Sequence, residues 1–255
     1  MPHQSWPLRH VTLKVLDLTA QISFYRDFGF RTLDESPAQA VLAAGDGFLL
    51  NFQQLTNGHP RPQRSAGLFH FAILVPTRED LGSFLRHAAR YRWEFVGSAD
   101  HLVSEALYFS DPEGNGIEVY ADRPREEWTW QSEKILMDTL PLDTDSLAAL
   151  GTSHEPFAFP ARTRLGHVHL TVSDLDASQL FYESLGLHLT ANWGNFRFLA
   201  WDNYHHHIAI NLLSGPNAKP VSPRFSGLAS FSLQRDTVAS ILQDPSSITI
   251  VPPSS

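Results

Sequence analysis

Thirteen histidines and no cysteine set the chemistry open to this chain of 255 residues. Disulfides, zinc ribbons and thiol nucleophiles are excluded, and any bound metal must take nitrogen and oxygen donors. Several histidines stand in patterned positions. His10 lies within Leu8-Arg9-His10-Val11-Thr12-Leu13-Lys14-Val15, and His167 within Leu165-Gly166-His167-Val168-His169-Leu170-Thr171-Val172. His70 follows Gly67-Leu68-Phe69, and His101 opens His101-Leu102-Val103-Ser104. His205-His206-His207 form an internal run; in a strand the outer two would face one way and His206 the other. With His167 they can be drawn as a metal site, but a polar strand start at a domain interface is the plainer reading. The run Asp111-Pro112-Glu113-Gly114-Asn115-Gly116-Ile117-Glu118 ends on a carboxylate, and Tyr108 lies ten residues before it. Imidazoles with a carboxylate serve metal binding and proton transfer near neutral pH.

A repeat positions these residues. The segment from Leu8 matches that from Leu165. Asp17-Leu18 matches Asp174-Leu175, and Phe24-Tyr25 before Gly29 matches Phe181-Tyr182 before Gly186, all at an offset of 157. Gly67-Leu68 matches Gly227-Leu228 at an offset of 160. Each half opens with an alternating strand. A helix follows, capped by Asp17 or Thr19, with Leu18, Ile22, Tyr25 and Phe28 on one face and Gly29 as its stop. Three short strands complete a β-α-β-β-β unit. The order recurs from Phe69, where Thr77 and Asp80 form a capping pair ahead of Leu81, Phe84, Leu85 and Ala88. The expected fold is α+β: tandem β-α-β-β-β modules paired into two domains with curved mixed sheets. The N-terminal domain spans residues 1–123 and the C-terminal domain 163–255. Between them, 124–162 form a connector with one short helix over Thr144 to Leu150. The last module, from Gly227, is truncated. It has room for a strand, a short helix and one more strand, and the segment from His101 to Tyr120 has no partner in it.

Paired modules of this kind, with Asp-Pro-x-Gly-Asn-x-Ile-Glu closing one of them, resemble the vicinal oxygen chelate superfamily. In detail they are similar to extradiol ring-cleaving dioxygenases of the catechol 2,3-dioxygenase type. The resemblance covers about residues 6–125 and 163–235. It implies metal ligands on the first strand of one module and on the first and last strands of its partner, which here hold His10, His70 and Glu118. Two imidazoles and a carboxylate on one face leave three positions open, two for a catecholate and one for O₂. The resemblance further implies that Tyr108 hydrogen-bonds a substrate oxygen and that His101 takes up a catechol proton. Where such enzymes carry an acid–base histidine, this chain has Asn51, which can hydrogen-bond oxygen but cannot donate a proton at neutral pH. The same asparagine is a poor replacement for the fourth, carboxylate ligand of glyoxalase-type relatives. His59 in a nearby loop reads as an exposed loop residue. His70 is matched by Ser230 in the second half, so the C-terminal domain is expected to hold no metal of its own.

The expectation is therefore an Fe(II)-dependent dioxygenase, with Mn(II) served by the same ligands, acting on a catechol-like diol and O₂. A glyoxalase-like isomerase or thiol transferase, and a non-catalytic ligand-binding resistance protein, are the alternatives. Composition agrees with a globular protein, at 42% apolar and 18% charged residues. The net charge of -8, without a block of Lys or Arg, argues against nucleic acid and anionic membranes as partners. No stretch reaches membrane-span length, and a cytoplasmic homo-oligomer is expected.

Overall fold

The computed structural model describes residues 6–234 and 238–252. The first module comprises β1 (Leu8–Val15), α1 (Leu18–Asp27), β2 (Arg31–Glu35), β3 (Gln39–Ala44) and β4 (Phe48–Gln54). The second comprises β5 (Gly67–Leu74), α2 (Arg78–Ala88), β6 (Glu94–Asp100), β7 (Ser104–Ser110) and β8 (Gly116–Asp122). A connector carries the short hairpin β9 (Trp130–Gln131) and β10 (Lys134–Ile135), then α3 (Thr144–Leu150). The third module is β11 (Arg164–Thr171), α4 (Leu175–Ser184), β12 (His188–Asn192), β13 (Phe196–Ala200) and β14 (Ile208–Asn211). The fourth keeps β15 (Gly227–Leu233), β16 (Leu242–Gln243) and β17 (Thr249–Val251). The described residues of this module hold no helix where a short one was expected, and 235–237, between β15 and β16, lie outside them. No helix is long and apolar enough to cross a membrane among the described residues.

Local signals place the helices. The Asp17 carboxylate accepts from the Ala20 N–H at 2.9 Å, and the Thr77 hydroxyl accepts from the Asp80 N–H at 3.2 Å. Leu18, Ile22 and Tyr25 turn inward from α1, and Gly29 ends the helix region at φ +111°. Phe28 then packs on Phe84 and Trp93 at ring-centroid distances of 4.9 and 4.8 Å. Full burial of each such ring contributes roughly 1.5–3 kcal/mol.

The sheets do not form within each half of the chain, as the expected domains had it. Their orders are β16-β17-β15-β1-β4-β3-β2 and β12-β13-β14-β11-β5-β8-β7-β6. The first module thus shares a sheet with the fourth, and the second with the third. Strand β1 runs antiparallel to β15, and β5 antiparallel to β11. Hydrogen bonds tie the sheets together across the modules. Tyr25 Oη donates to Asp111 Oδ2 at 3.1 Å, while Asp111 Oδ1 accepts from the Glu113 and Asn115 N–H groups at 2.9 Å each. Tyr182 Oη donates to Asp244 Oδ2 at 3.2 Å, and Asp244 Oδ1 accepts from the Ser246 and Ile248 N–H groups. The Asp-Pro turn before β8 therefore recurs before β17. The truncated module retains a counterpart of the last strand: β17 pairs parallel with β15 as β8 does with β5, and Val251 opposes Ser232 where Glu118 opposes Ala72.

Candidate metal centre

Strands β11, β5 and β8 are neighbours in the eight-stranded sheet. Ala72 on β5 opposes both Glu118 on β8 and His167 on β11, and His70 lies two residues away on the same face. Because Ala72 carries only a methyl group, the three longer side chains can converge above it. Gly116 opposes His70, and a Cβ added there would lie 2.9 Å from His70 Cβ. The Phe69 carbonyl oxygen would be closer still, so the glycine before Ile117-Glu118 is required by close packing on the β5 backbone.

The three donor atoms form a nearly equilateral triangle. His70 Nε2 lies 3.0 Å and His167 Nε2 lies 3.1 Å from Glu118 Oε2, and the two nitrogens are 3.2 Å apart. Donors about 2.1 Å from a metal and at right angles to each other are about 3.0 Å apart, whereas tetrahedral angles would spread them to about 3.4 Å. The spacing fits three adjacent corners of an octahedron. Among the described residues this is the one such group of His, Asp or Glu side chains. All three are buried.

The electrostatics suit a cation. Burial alone would raise the Glu118 carboxyl, but the adjacent His167 and hydrogen bonds from His167 and His70 outweigh it and hold Glu118 well below the usual carboxylate range. Burial pushes His167 down to about 4 from an ordinary 6.5, against the pull of Glu118. At neutral pH the pair is therefore an ionised carboxylate with a neutral imidazole, the protonation state a metal needs. His167 Nδ1 is buried without a hydrogen-bond partner.

His10, expected to complete the set, is not brought to it. It lies on β1 in the other sheet, opposite Leu49, with its backbone N–H donating to Ser232 Oγ at 3.0 Å. The module pairing is the reason: β5 has β11 at its side, not β1, so His167, the repeat equivalent of His10, supplies the third donor. The second half therefore contributes a side chain to the site, contrary to the expected division. His10, Ser230 and Val251 occupy the corresponding places in the seven-stranded sheet, where one donor of three remains. Asn51 is likewise on the wrong sheet. It opposes Thr12 and donates to Thr12 Oγ1 at 3.4 Å, away from the cavity described next. His59 bridges to Phe225 and is also outside the cavity.

A cavity of about 800 Å³ opens over His70 and Glu118, and Tyr108, His101, His169 and His206 share its lining. Tyr108 opposes Glu118 across the β7–β8 pair, which turns its ring to the same face. The connector fixes His101: its Nδ1 lies 2.7 Å from the Asp138 carbonyl, which can only accept. The neutral ring therefore carries its proton on Nδ1, and Nε2 accepts the Tyr108 hydroxyl at 2.7 Å. Burial, then the Glu118 charge, raises the Tyr108 phenol well above its ordinary value, so it stays protonated.

Two lining histidines escaped the sequence reading. His169 Nε2 lies 3.0 Å from Asn211 Nδ2, and Asn211 Oδ1 accepts from the Leu213 N–H. That fixes the amide, so His169 Nε2 accepts. His206 ring-packs on His167 at 4.1 Å between centroids, and its Nδ1 lies 2.8 Å from His205 Nδ1. His205 Nε2 in turn reaches Asp122 Oδ1 at 2.9 Å. Burial lowers both His169 and His206 well below the ordinary value. The alternating faces of the triple-histidine run were a usable signal, because only its middle member lines the cavity.

Residues 8–119 and 164–245 match the Glyoxalase/Bleomycin resistance protein/Dioxygenase superfamily. The chain belongs to this superfamily. Catechol-2,3-dioxygenase of Bacillus subtilis (strain 168) is 38% identical over 233 residues, which are 89% of this chain and 81% of that protein. Among solved structures, a protein of Bacillus subtilis subsp. subtilis str. 168 superposes with a TM-score of 0.66 at 12% identity, over 98% of this chain and 86% of that one. Glyoxalase I from Zea mays gives 0.59 at 16% identity, over 96% and 91%. The structural likenesses show the fold, and the sequence likeness supports a dioxygenase-like activity.

Proposed function

We propose that the protein is an Fe(II)-dependent extradiol dioxygenase that cleaves catechol-like diols with O₂. The observation that carries this reading is the triangle of His70, Glu118 and His167, spaced for facial coordination and opening on a cavity. The similarity to a catechol-2,3-dioxygenase supports it. The donor set suits Mn(II) equally. It contains a single carboxylate, which favours open-site oxygen chemistry over a glyoxalase-like centre with two. Bound iron would supply adjacent open positions at which a diol and O₂ meet. His10 and Asn51 have no part in this site.

The chain's own residues supply the proton handling. Tyr108, protonated and beside Glu118, gives its one hydroxyl proton to His101 and accepts a hydrogen bond from a diol hydroxyl on an oxygen lone pair. His101 Nε2 accepts the Tyr108 proton, and the Asp138 carbonyl keeps that nitrogen bare. His206, neutral and lining the cavity, offers a ring nitrogen that can hydrogen-bond the diol. The test is anaerobic loading with Fe(II) followed by oxygen uptake with a panel of catechols. One O₂ consumed per diol, with a ring-opened product, is expected. Metal-loaded protein that consumes no oxygen with any diol would overturn the reading.

A further inference from the structure

On the ring-cleavage reading above, we propose that the substrate is a catechol carrying a bulky, uncharged apolar substituent of about aryl size. The first argument is volume. A cavity of ~150 Å³ is enough for benzene, whereas this one measures about 800 Å³. That lies high in the range of ~300–1,000 Å³ that takes drug-sized ligands. A bare catechol would leave most of the space to water.

The second argument is the chemistry of the walls. Polar groups in the lining include His70, Glu118, Tyr108 and His206, with uncharged residues such as Gln63 and Ser214. Large apolar side chains also line it broadly: Phe69, Val96, Trp193, Phe196 and Leu213 come from four separate segments. Phe69, Val96, Trp193 and Leu213 are 41%, 64%, 39% and 55% exposed. Four large apolar side chains left wet around one opening mark a surface that a ligand covers. Trp193 and Phe198 also meet edge-on at 5.0 Å, which presents ring faces and edges to an aromatic guest.

The third argument is charge. Arg61 is the one Lys or Arg in the lining, and its guanidinium donates to the Leu68 carbonyl at 2.5 Å. Glu118, in the same lining, is ionised. A carboxylate on the substituent would gain little from the first and be repelled by the second.

The experiment is calorimetric titration of the Fe(II)-loaded full chain without oxygen. The probes are catechol, 4-phenylcatechol, its mono-O-methyl ether and 3,4-dihydroxyphenylacetate. Burial of a phenyl group predicts that 4-phenylcatechol binds about 10- to 10²-fold tighter than catechol. The acid should bind no tighter than catechol. Trp193→Ala and Leu213→Ala should each shrink the phenylcatechol-to-catechol ratio towards one, and both residues are exposed enough for the fold to survive. Equal affinities for catechol and 4-phenylcatechol, or a preference for the acid, would overturn the proposal. If catechol still binds only with metal present, the ring-cleavage reading survives that failure. Conversely, a large ratio that persists without metal and after O-methylation keeps the apolar site and removes the diol-chelation reading. No binding by any probe overturns both.

Discussion

Acidifying the metal-free protein should cost stability through His167, by an amount set by its burial. The imidazole has a pKa of about 4 in the fold and 6.5 as its ordinary value. As pH falls below 6.5 the unfolded chain takes up a proton that the folded chain refuses, so stability falls with pH and levels off below 4. At one pKa unit per 1.36 kcal/mol, the loss between pH 7 and pH 4.5 is about 2.5 kcal/mol, and about 3.4 kcal/mol once both states are protonated. Glu118 works in a different window. Its folded value is depressed, so its contribution is present above 4.5 and lost only as pH falls below that. Burial lowers His169 and His206 as well, which adds to the acid sensitivity with the same sign. Glutamine does not titrate and can still donate to Glu118, so the difference between wild type and His167→Gln reads His167 together with its hold on Glu118. Urea unfolding of chelator-treated protein at pH 7 and 4.5 should show wild type losing about 2.5 kcal/mol more than the variant. Parallel losses, within about 0.5 kcal/mol, would refute the reasoning and put the His167 proton affinity near that of a free imidazole. The same suppressed basicity keeps His167 open to a metal at mildly acidic pH.

Two further predictions test the site itself. His70→Ala and His167→Ala should each abolish stoichiometric metal, measured by elemental analysis after gel filtration, while His10→Ala retains it; metal lost from His10→Ala and kept in His167→Ala would restore the pairing of the first module with the second. Tyr108→Phe and His101→Asn should keep the metal but slow oxygen uptake with a catechol by roughly 10²–10⁴-fold, if each supplies full acid–base assistance; wild-type rates in both would reduce the pair to packing.

The repeat, the helices and two of the three donors of the candidate metal centre were legible because they rest on local signals. Asp17, Thr77 and Gly29 mark helix ends wherever the helix later packs, and the Asp111–Gly116 turn aims Glu118 from within a single hairpin. Module pairing has no such local signature. Every module opens on a strand with the same alternation, so β5 can accept β1 or β11 at its edge with equal conformity to the pattern. Choosing β1 made His10 the ligand and left the histidines of the third module without a use. What separates the two arrangements is side-chain fit between strands far apart in sequence. A Cβ at residue 166 on β11 would strike the Tyr120 hydroxyl, so the glycine there lets Tyr120 pack beneath His167. The corresponding residue on β1 is Arg9, which could not take that place. The distribution of histidines points the same way. His167, His169 and His206 all belong to the third module; the last two share a cavity with His70, and His167 Nε2 lies 3.2 Å from that of His70, whereas the first module offers His10 with Thr12 at the place of His169. A site that needs several imidazoles close together is built where they are concentrated, and this asymmetry between otherwise equivalent modules is the feature of the sequence that carries the pairing.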